Sequence, residues 1–121
     1  MIKKINEGNF GDIAATSGTS VLMFTSAGCW MCTDLKPIAE KLSVEYGNFL
    51  NFYSIGTDDP LNEDLMEQIE AEHEVDGVPT IYMIHENVWV EIPWTPEVGY
   101  SESYLRAMFE SVVGRLKGVI N

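Results

Sequence analysis

The sequence predicts an α/β domain: a mixed central β-sheet with helices on both faces. Three observations carry this. Apolar runs of strand length alternate with segments of helical periodicity, the order of strand–helix–strand units whose strands pair in parallel through right-handed crossovers. Two late strands are joined by a connection too short for a crossover, so a hairpin adds an antiparallel edge. The chain has 121 residues, 45% of them apolar, with no internal repeat, low-complexity tract or linker, so residues 1–121 are expected to form a single domain.

Ile2–Ile5 is expected as a short opening strand. Asn9 to Thr16 should form a first helix, with Asn9 as N-cap and Phe10, Ile13 and Ala14 on one face. Thr16 to Ser20 is read as a loop, and Val21-Leu22-Met23-Phe24-Thr25 as a strand buried on both faces. Ser26-Ala27-Gly28 breaks it. A helix should then start around the cysteines and run to Tyr46, ended by Gly47, with Leu35, Ile38, Ala39, Leu42 and Tyr46 as its buried stripe. Pro37 lies inside this helix, where it removes a backbone donor and should kink the axis.

Phe49 to Ile55, rich in aromatic and branched residues, reads as the next strand. Asp59-Pro60 marks a helix start, an N-cap followed by proline at the first helical position. Leu61, Leu65, Met66 and Ile69 should line that helix, which fades near Glu74. Thr80 to Ile84 and Val88 to Ile92 are two further strands joined through His85-Glu86-Asn87. Pro93 and Pro96 bracket Trp94 in an irregular stretch ending at Gly99. Ser101 should cap a last helix with an apolar stripe of Leu105, Met108, Phe109, Val112 and Leu116.

Composition excludes several function classes. Nineteen acidic residues face only seven basic ones, a formal charge of −12. The basic residues are scattered, which argues against nucleic-acid binding and against an acidic membrane surface. No window approaches about eighteen consecutive apolar residues, so no membrane span is expected. Lys3 and Lys4 are followed by no apolar run, so no signal peptide is expected either, and the chain reads as cytoplasmic. The charge itself suits solubility, or a preference for basic or neutral partner surfaces.

The only two cysteines, Cys29 and Cys32, stand three apart in Cys29-Trp30-Met31-Cys32. Random placement in this chain would give that spacing about once in sixty trials. A structural disulfide closing so short a loop would constrain the unfolded chain very little, and a reducing compartment disfavours it. Reactivity accounts for the spacing better. A thiol attacks a disulfide as thiolate, and at a reference pKa of about 8.5 only a few per cent is ionised at neutral pH. A helix start supplies unpaired N–H groups and the positive end of the macrodipole. Lowering the pKa to about 7 needs only ~2 kcal/mol. Cys29, nearer the strand, is therefore assigned as nucleophile, and Cys32, one turn further in, as the more buried resolving thiol. Zinc would need about four ligands, and the only histidines are His73, in a charged helix, and His85, at a strand end, so neither metal nor cofactor is expected. An iron–sulfur cluster shared by two chains is the remaining metal alternative.

The stretch from Val21 to Pro37, with its strand, CxxC and proline inside the following helix, resembles thioredoxin. Gly77-Val78-Pro79-Thr80 resembles the loop that carries that family's cis-proline, and Val98-Gly99-Tyr100 its glycine turn before the last helix. The similarity runs from about Val21 to Leu116, with extra residues around Pro60–Glu74 and Ile92–Pro96. It implies the thioredoxin fold, with a cis Pro79 facing the disulfide, and a substrate-binding surface from Gly28, Trp30, Met31, Val78, Pro79 and Gly99.

The departures are specific. Trp30-Met31 replaces the family's Gly-Pro, and Gly28 stands where a tryptophan usually precedes the first cysteine. Trp30 can serve as the apolar substrate platform or simply pack half-buried. Met23 replaces the buried acid that in the family helps take the resolving cysteine's proton; water or an acid such as Asp34 would have to serve instead. The resemblance implies a monomeric thiol–disulfide oxidoreductase acting on disulfide-containing proteins and re-reduced by a thioredoxin-reductase-type donor. The alternatives are a glutaredoxin-like, glutathione-linked enzyme, for which only Lys36 offers a nearby cation, and a redox-inert interaction module of the same fold.

Overall fold

Strands β1 (Ile2–Lys4), β2 (Thr19–Thr25), β3 (Leu50–Gly56), β4 (Thr80–His85) and β5 (Val88–Ile92) form one sheet in the order β1-β3-β2-β4-β5. The computed structural model describes residues 1–15 and 18–120, excepting the side chains at 15 and 115–120. The expectations for Thr16, Ser17 and the Leu116 side chain lie outside the described residues. Helices α1 (Gly11–Ala15), α2 (Trp30–Glu45), α3 (Glu63–Glu70) and α4 (Glu102–Ile120) cover the two faces of the sheet.

The central strand explains the layering. Successive side chains of a strand point to opposite faces. On β2, Val21 and Met23 pack with Leu35, Ala39 and Leu42 of α2 and with Leu105, Phe109 and Val112 of α4. Leu22 and Phe24 pack on the other side with Ile13 of α1 and with Leu65, Met66 and Ile69 of α3. All four β2 residues are at most 4% exposed, as an apolar strand covered on both faces requires.

β3 pairs in parallel with both β1 and β2, as the strand–helix–strand order predicts. β4 does not follow that rule. It pairs antiparallel with β2, with Phe24 opposite Thr80, although a helix precedes it. The reason lies in the segment after α3, which returns the chain to the carboxyl end of β2 before β4 begins. That reversal brings Pro79 to the end of the sheet where β2 hands over to α2. β4 and β5 form the expected hairpin, turned by Glu86 and Asn87, both at positive φ (48° and 66°).

Several local expectations are corrected. Asn9 does not cap α1, which begins two residues later. Its carboxamide instead accepts from the Asn6 N–H at 2.7 Å and donates to the Lys4 carbonyl at 3.0 Å, building a turn. Ala14 is exposed. Asp59 does cap, accepting from the Leu61 N–H at 3.0 Å, but it opens a 3-10 turn (Pro60–Asn62) ahead of α3, and this leaves Leu61 79% exposed. α3 ends at Glu70 rather than near Glu74. Phe49 precedes β3 and is exposed. Ser101 caps α4 as read, its hydroxyl accepting from the Tyr104 N–H at 3.3 Å. No helix among the described residues is long and apolar enough to cross a membrane.

Candidate functional site

Between β2 and α2 the chain turns through Ser26-Ala27-Gly28, with Gly28 at φ +80°, a conformation that L side chains rarely adopt. Nothing lies within 4 Å of where a Gly28 Cβ would stand, so backbone conformation is what calls for glycine there. The Ala27 N–H donates to the Asp58 carboxylate, 3.2 and 3.1 Å from its two oxygens, which ties this turn to the end of β3.

Cys29 is the N-cap of α2, in extended conformation (φ −82°, ψ 107°). The Cys32 N–H donates to Cys29 Sγ at 3.1 Å, while the Thr33 N–H and hydroxyl donate to the Cys29 carbonyl at 3.1 and 3.2 Å. One of the unpaired amides of the helix start thus points at the sulfur, where a serine or aspartate oxygen would normally cap. The two cysteines are joined as a disulfide, their Cα atoms 5.2 Å apart. Cys29 is half-buried and Cys32 is 8% exposed, so the first sulfur faces outward and the second inward.

Pro79 follows a cis peptide bond after Val78 and is buried. The Val78 carbonyl oxygen lies 3.9 Å from Cys29 Sγ, so residues 49 apart in sequence meet at the disulfide. The Thr80 hydroxyl donates to the Gly77 carbonyl at 2.6 Å and braces the loop.

Three hollows surround this centre. A shallow one of about 230 Å³ lies among Trp30, Met31, Pro79, Trp94 and Gly99. Trp30 is 71% exposed, so it does not pack half-buried. A second, of about 370 Å³, shares Met31, Pro79 and Trp94 with the first and is also lined by Val78, Asp76 and Glu91. Of the sequence-derived site residues, Trp30, Met31, Val78, Pro79 and Gly99 therefore gather around the disulfide, and Gly28 supplies the turn. The third hollow, of about 470 Å³, is a cleft behind Cys32 lined by Met23, Lys36, Glu40 and Asp58. Met23 is buried opposite Ser54 of β3, so neither of these paired strand positions carries an ionisable group. The carboxylates that reach this cleft are Glu40 and Asp58, and Asp34 is not among its lining residues.

Sequence reasoning missed Trp94, Tyr100 and Asp58. Trp94 borders both outer hollows. Tyr100 is buried and donates to the Ile92 carbonyl at 2.7 Å, and burial holds its phenol well above the ordinary tyrosine range. The signals were faint: a tryptophan between two prolines, and a second acid just before an Asp-Pro helix start. The Glu74 carboxyl is held above the ordinary carboxylate range, chiefly by the neighbouring Asp76 carboxyl and, less, by burial and the charge of Glu91. Among the described residues, no group of three His, Cys, Asp or Glu side chains is placed to hold a metal ion.

Comparison with known proteins agrees with this geometry. The family profile described as Thioredoxin matches residues 1–94. No curated protein is significantly similar in sequence. The short form of thioredoxin f from spinach chloroplast superposes with a TM-score of 0.72 at 24% identity, covering 91% of each chain. The long form gives 0.73 at 23%, covering 91% of this chain and 84% of that one. A chain from the complex of ferredoxin:thioredoxin reductase with thioredoxin f2 gives 0.73 at 21%, covering 92% and 94%. At such identities the likeness is one of fold.

Proposed function

This chain belongs to the thioredoxin family, and from that premise we propose that it reduces protein disulfides by dithiol–disulfide exchange, with Cys29 as nucleophile and Cys32 as resolving thiol. The observation that carries the assignment of roles is the Cys32 amide donating to Cys29 Sγ at 3.1 Å at the start of α2. An N–H aimed at sulfur and the positive helix end both favour the thiolate over the thiol.

In the reduced protein the Cys29 thiolate attacks one sulfur of a substrate disulfide. The other substrate sulfur leaves as thiolate and takes a proton from solvent. Cys32, once deprotonated, attacks Cys29 Sγ, expelling the second substrate thiol and closing the Cys29–Cys32 disulfide. Two electrons pass to the substrate, which ends as two thiols. With Met23 unable to move a proton, water in the cleft behind Cys32, or the Glu40 and Asp58 carboxylates that line it, takes the Cys32 proton.

The disulfide must then be reduced again, and a thioredoxin-reductase-type donor fits. One structural neighbour, thioredoxin f2, is seen in complex with ferredoxin:thioredoxin reductase. A cytoplasmic location and a monomeric, single-domain state belong to the same proposal, supported by the sparse cysteines and by one sheet joining β1 to β5.

The test is insulin reduction with dithiothreitol. The protein is expected to raise turbidity well above the dithiothreitol background. Cys29→Ser should fall to that background, and Cys32→Ser should accumulate a mixed disulfide on Cys29. A wild-type protein at background would instead identify a redox-inert module. A glutathione-equilibrated potential near the thioredoxin value of about −270 mV would match a reductant.

A further inference from the structure

We propose that Trp94 walls a second subsite of the exchange surface, and that this subsite selects protein disulfides carrying an arginine or lysine within two residues of the attacked cysteine. The inference rests on the disulfide-exchange reading above and names its substrate class.

Trp94 lies in the segment between β5 and α4 where the resemblance to the family leaves residues over. That segment is irregular yet anchored. The Tyr104 hydroxyl donates to the Pro93 carbonyl at 2.6 Å, the Tyr100 hydroxyl to Ile92 at 2.7 Å, and the Gly99 N–H to Thr95 at 2.7 Å. Gly99, at φ +55°, lets the indole settle close: a Cβ there would stand 3.4 Å from Trp94 Nε1. The tryptophan is thus held in place while 45% exposed. Isolated apolar residues on a surface need no explanation. This one lines a hollow together with the exposed Trp30 and with Met31 and Pro79, residues that adjoin the disulfide in sequence or in space.

Charge identifies the occupant. Of the two hollows that Trp94 lines, one carries Asp76 and Glu91 and the other Asp34; no basic residue lines either. A substrate strand passing Val78 would be extended, with side chains two apart on the same face. A basic side chain from that strand can lay its methylene stem on the indole, and its charge can reach the carboxylates beyond. An acidic side chain there would meet only like charge.

The test uses disulfide-linked peptide pairs that are identical except for Arg, Ala or Glu two residues from each cysteine, reduced by the dithiol form of the protein. Wild-type kcat/KM should fall in the order Arg, Ala, Glu, with an Arg-to-Glu ratio of about tenfold. The ratio is read within each variant, so any general change in activity cancels. In Asp76→Asn/Glu91→Gln it should shrink to about twofold, and ~0.5 M salt should compress it in the wild type without any substitution. Trp94→Ala should raise KM for the Arg peptide more than it lowers kcat, and Trp94→Phe should restore it. A ratio near one in the wild type overturns the proposal. So does a ratio unchanged in the double variant, which would place the preference in the overall charge, or a Trp94→Ala effect confined to kcat. Failure to reduce any peptide would instead strike down the exchange reading, and the subsite with it.

Discussion

At the scale of single residues, the site depends on what each side chain does or fails to supply. Cys29 takes the capping position of α2, so its sulfur receives an amide that an oxygen would otherwise hold. Met23 supplies bulk but no proton acceptor on the wall of the Cys32 cleft. Met23→Asp tests this directly. At a 4%-exposed position an added carboxyl should cost about 1–3 kcal/mol in denaturant unfolding. Burial raises its folded pKa above the unfolded one, so the loss grows as pH rises through the usual carboxylate range. The same substitution should add an ionisation to the pH profile of disulfide reduction, and an unchanged profile would show that Met23 sets nothing. Tyr100 is the opposite case, a polar group that burial and a 2.7 Å hydrogen bond keep neutral. Tyr100→Phe removes the side-chain hydrogen bond to the Ile92 carbonyl and should cost about 1 kcal/mol. Because the folded pKa lies above the ordinary 10.0, the tyrosine's contribution is intact below that pH and is lost as pH rises beyond it. The variant should therefore show a shallower alkaline loss of stability; an identical alkaline limb would refute the account.

At the scale of elements, α2 and α4 share one face of the sheet, and their packing keeps the helix start opposite the Pro79 loop. Phe109 of α4 is 2% exposed and meets Phe52 and Tyr46 edge-on, with ring centroids 5.7 and 6.1 Å apart. Phe109→Ala should cost about 3–5 kcal/mol, seen as a lower urea midpoint, whereas a loss under about 1 kcal/mol would mean that the aromatic cluster collapses to fill the space. Across the top of the same pair, Arg106 bridges Glu45 of α2 at 2.6 Å and Glu102 of α4 at 3.2 Å, and Lys41 joins Glu102 at 3.0 Å. These cations hold Glu102 below the ordinary carboxylate range, Lys41 first and Arg106 next. The elements themselves were largely legible, because apolar periodicity depends on neighbours a few residues apart. The misreadings fell where two local signals compete. Asn6 and Asn9 each make side-chain bonds to nearby backbone, and Asp59-Pro60 begins a 3-10 turn as readily as an α-helix.

At the scale of the whole molecule, a charge of −12 makes the compact state repel itself. Raising salt from about 0.02 to about 0.3 M should therefore raise Tm, since the Debye length shrinks well below the molecular diameter. A flat or falling Tm would mean that ion pairs such as Arg106–Glu45 outweigh the repulsion. The same imbalance shapes the site, whose outer hollows are lined by acids and aromatic rings and by no base.

The sequence alone determined the reactive pair, its place at a helix start, the strand buried on both faces and the β4–β5 hairpin. Each of these rests on interactions within a few residues of chain, or on a periodicity that a single segment displays by itself. Only the tertiary structure decided that β4 runs antiparallel to β2, that the Val78 carbonyl lies 3.9 Å from Cys29 Sγ, and that Trp94 lines one hollow with Asp76 and Glu91. Those facts depend on the register between segments far apart in the chain. Periodicity tells which side chains must leave water, but not which distant partner they meet when they do.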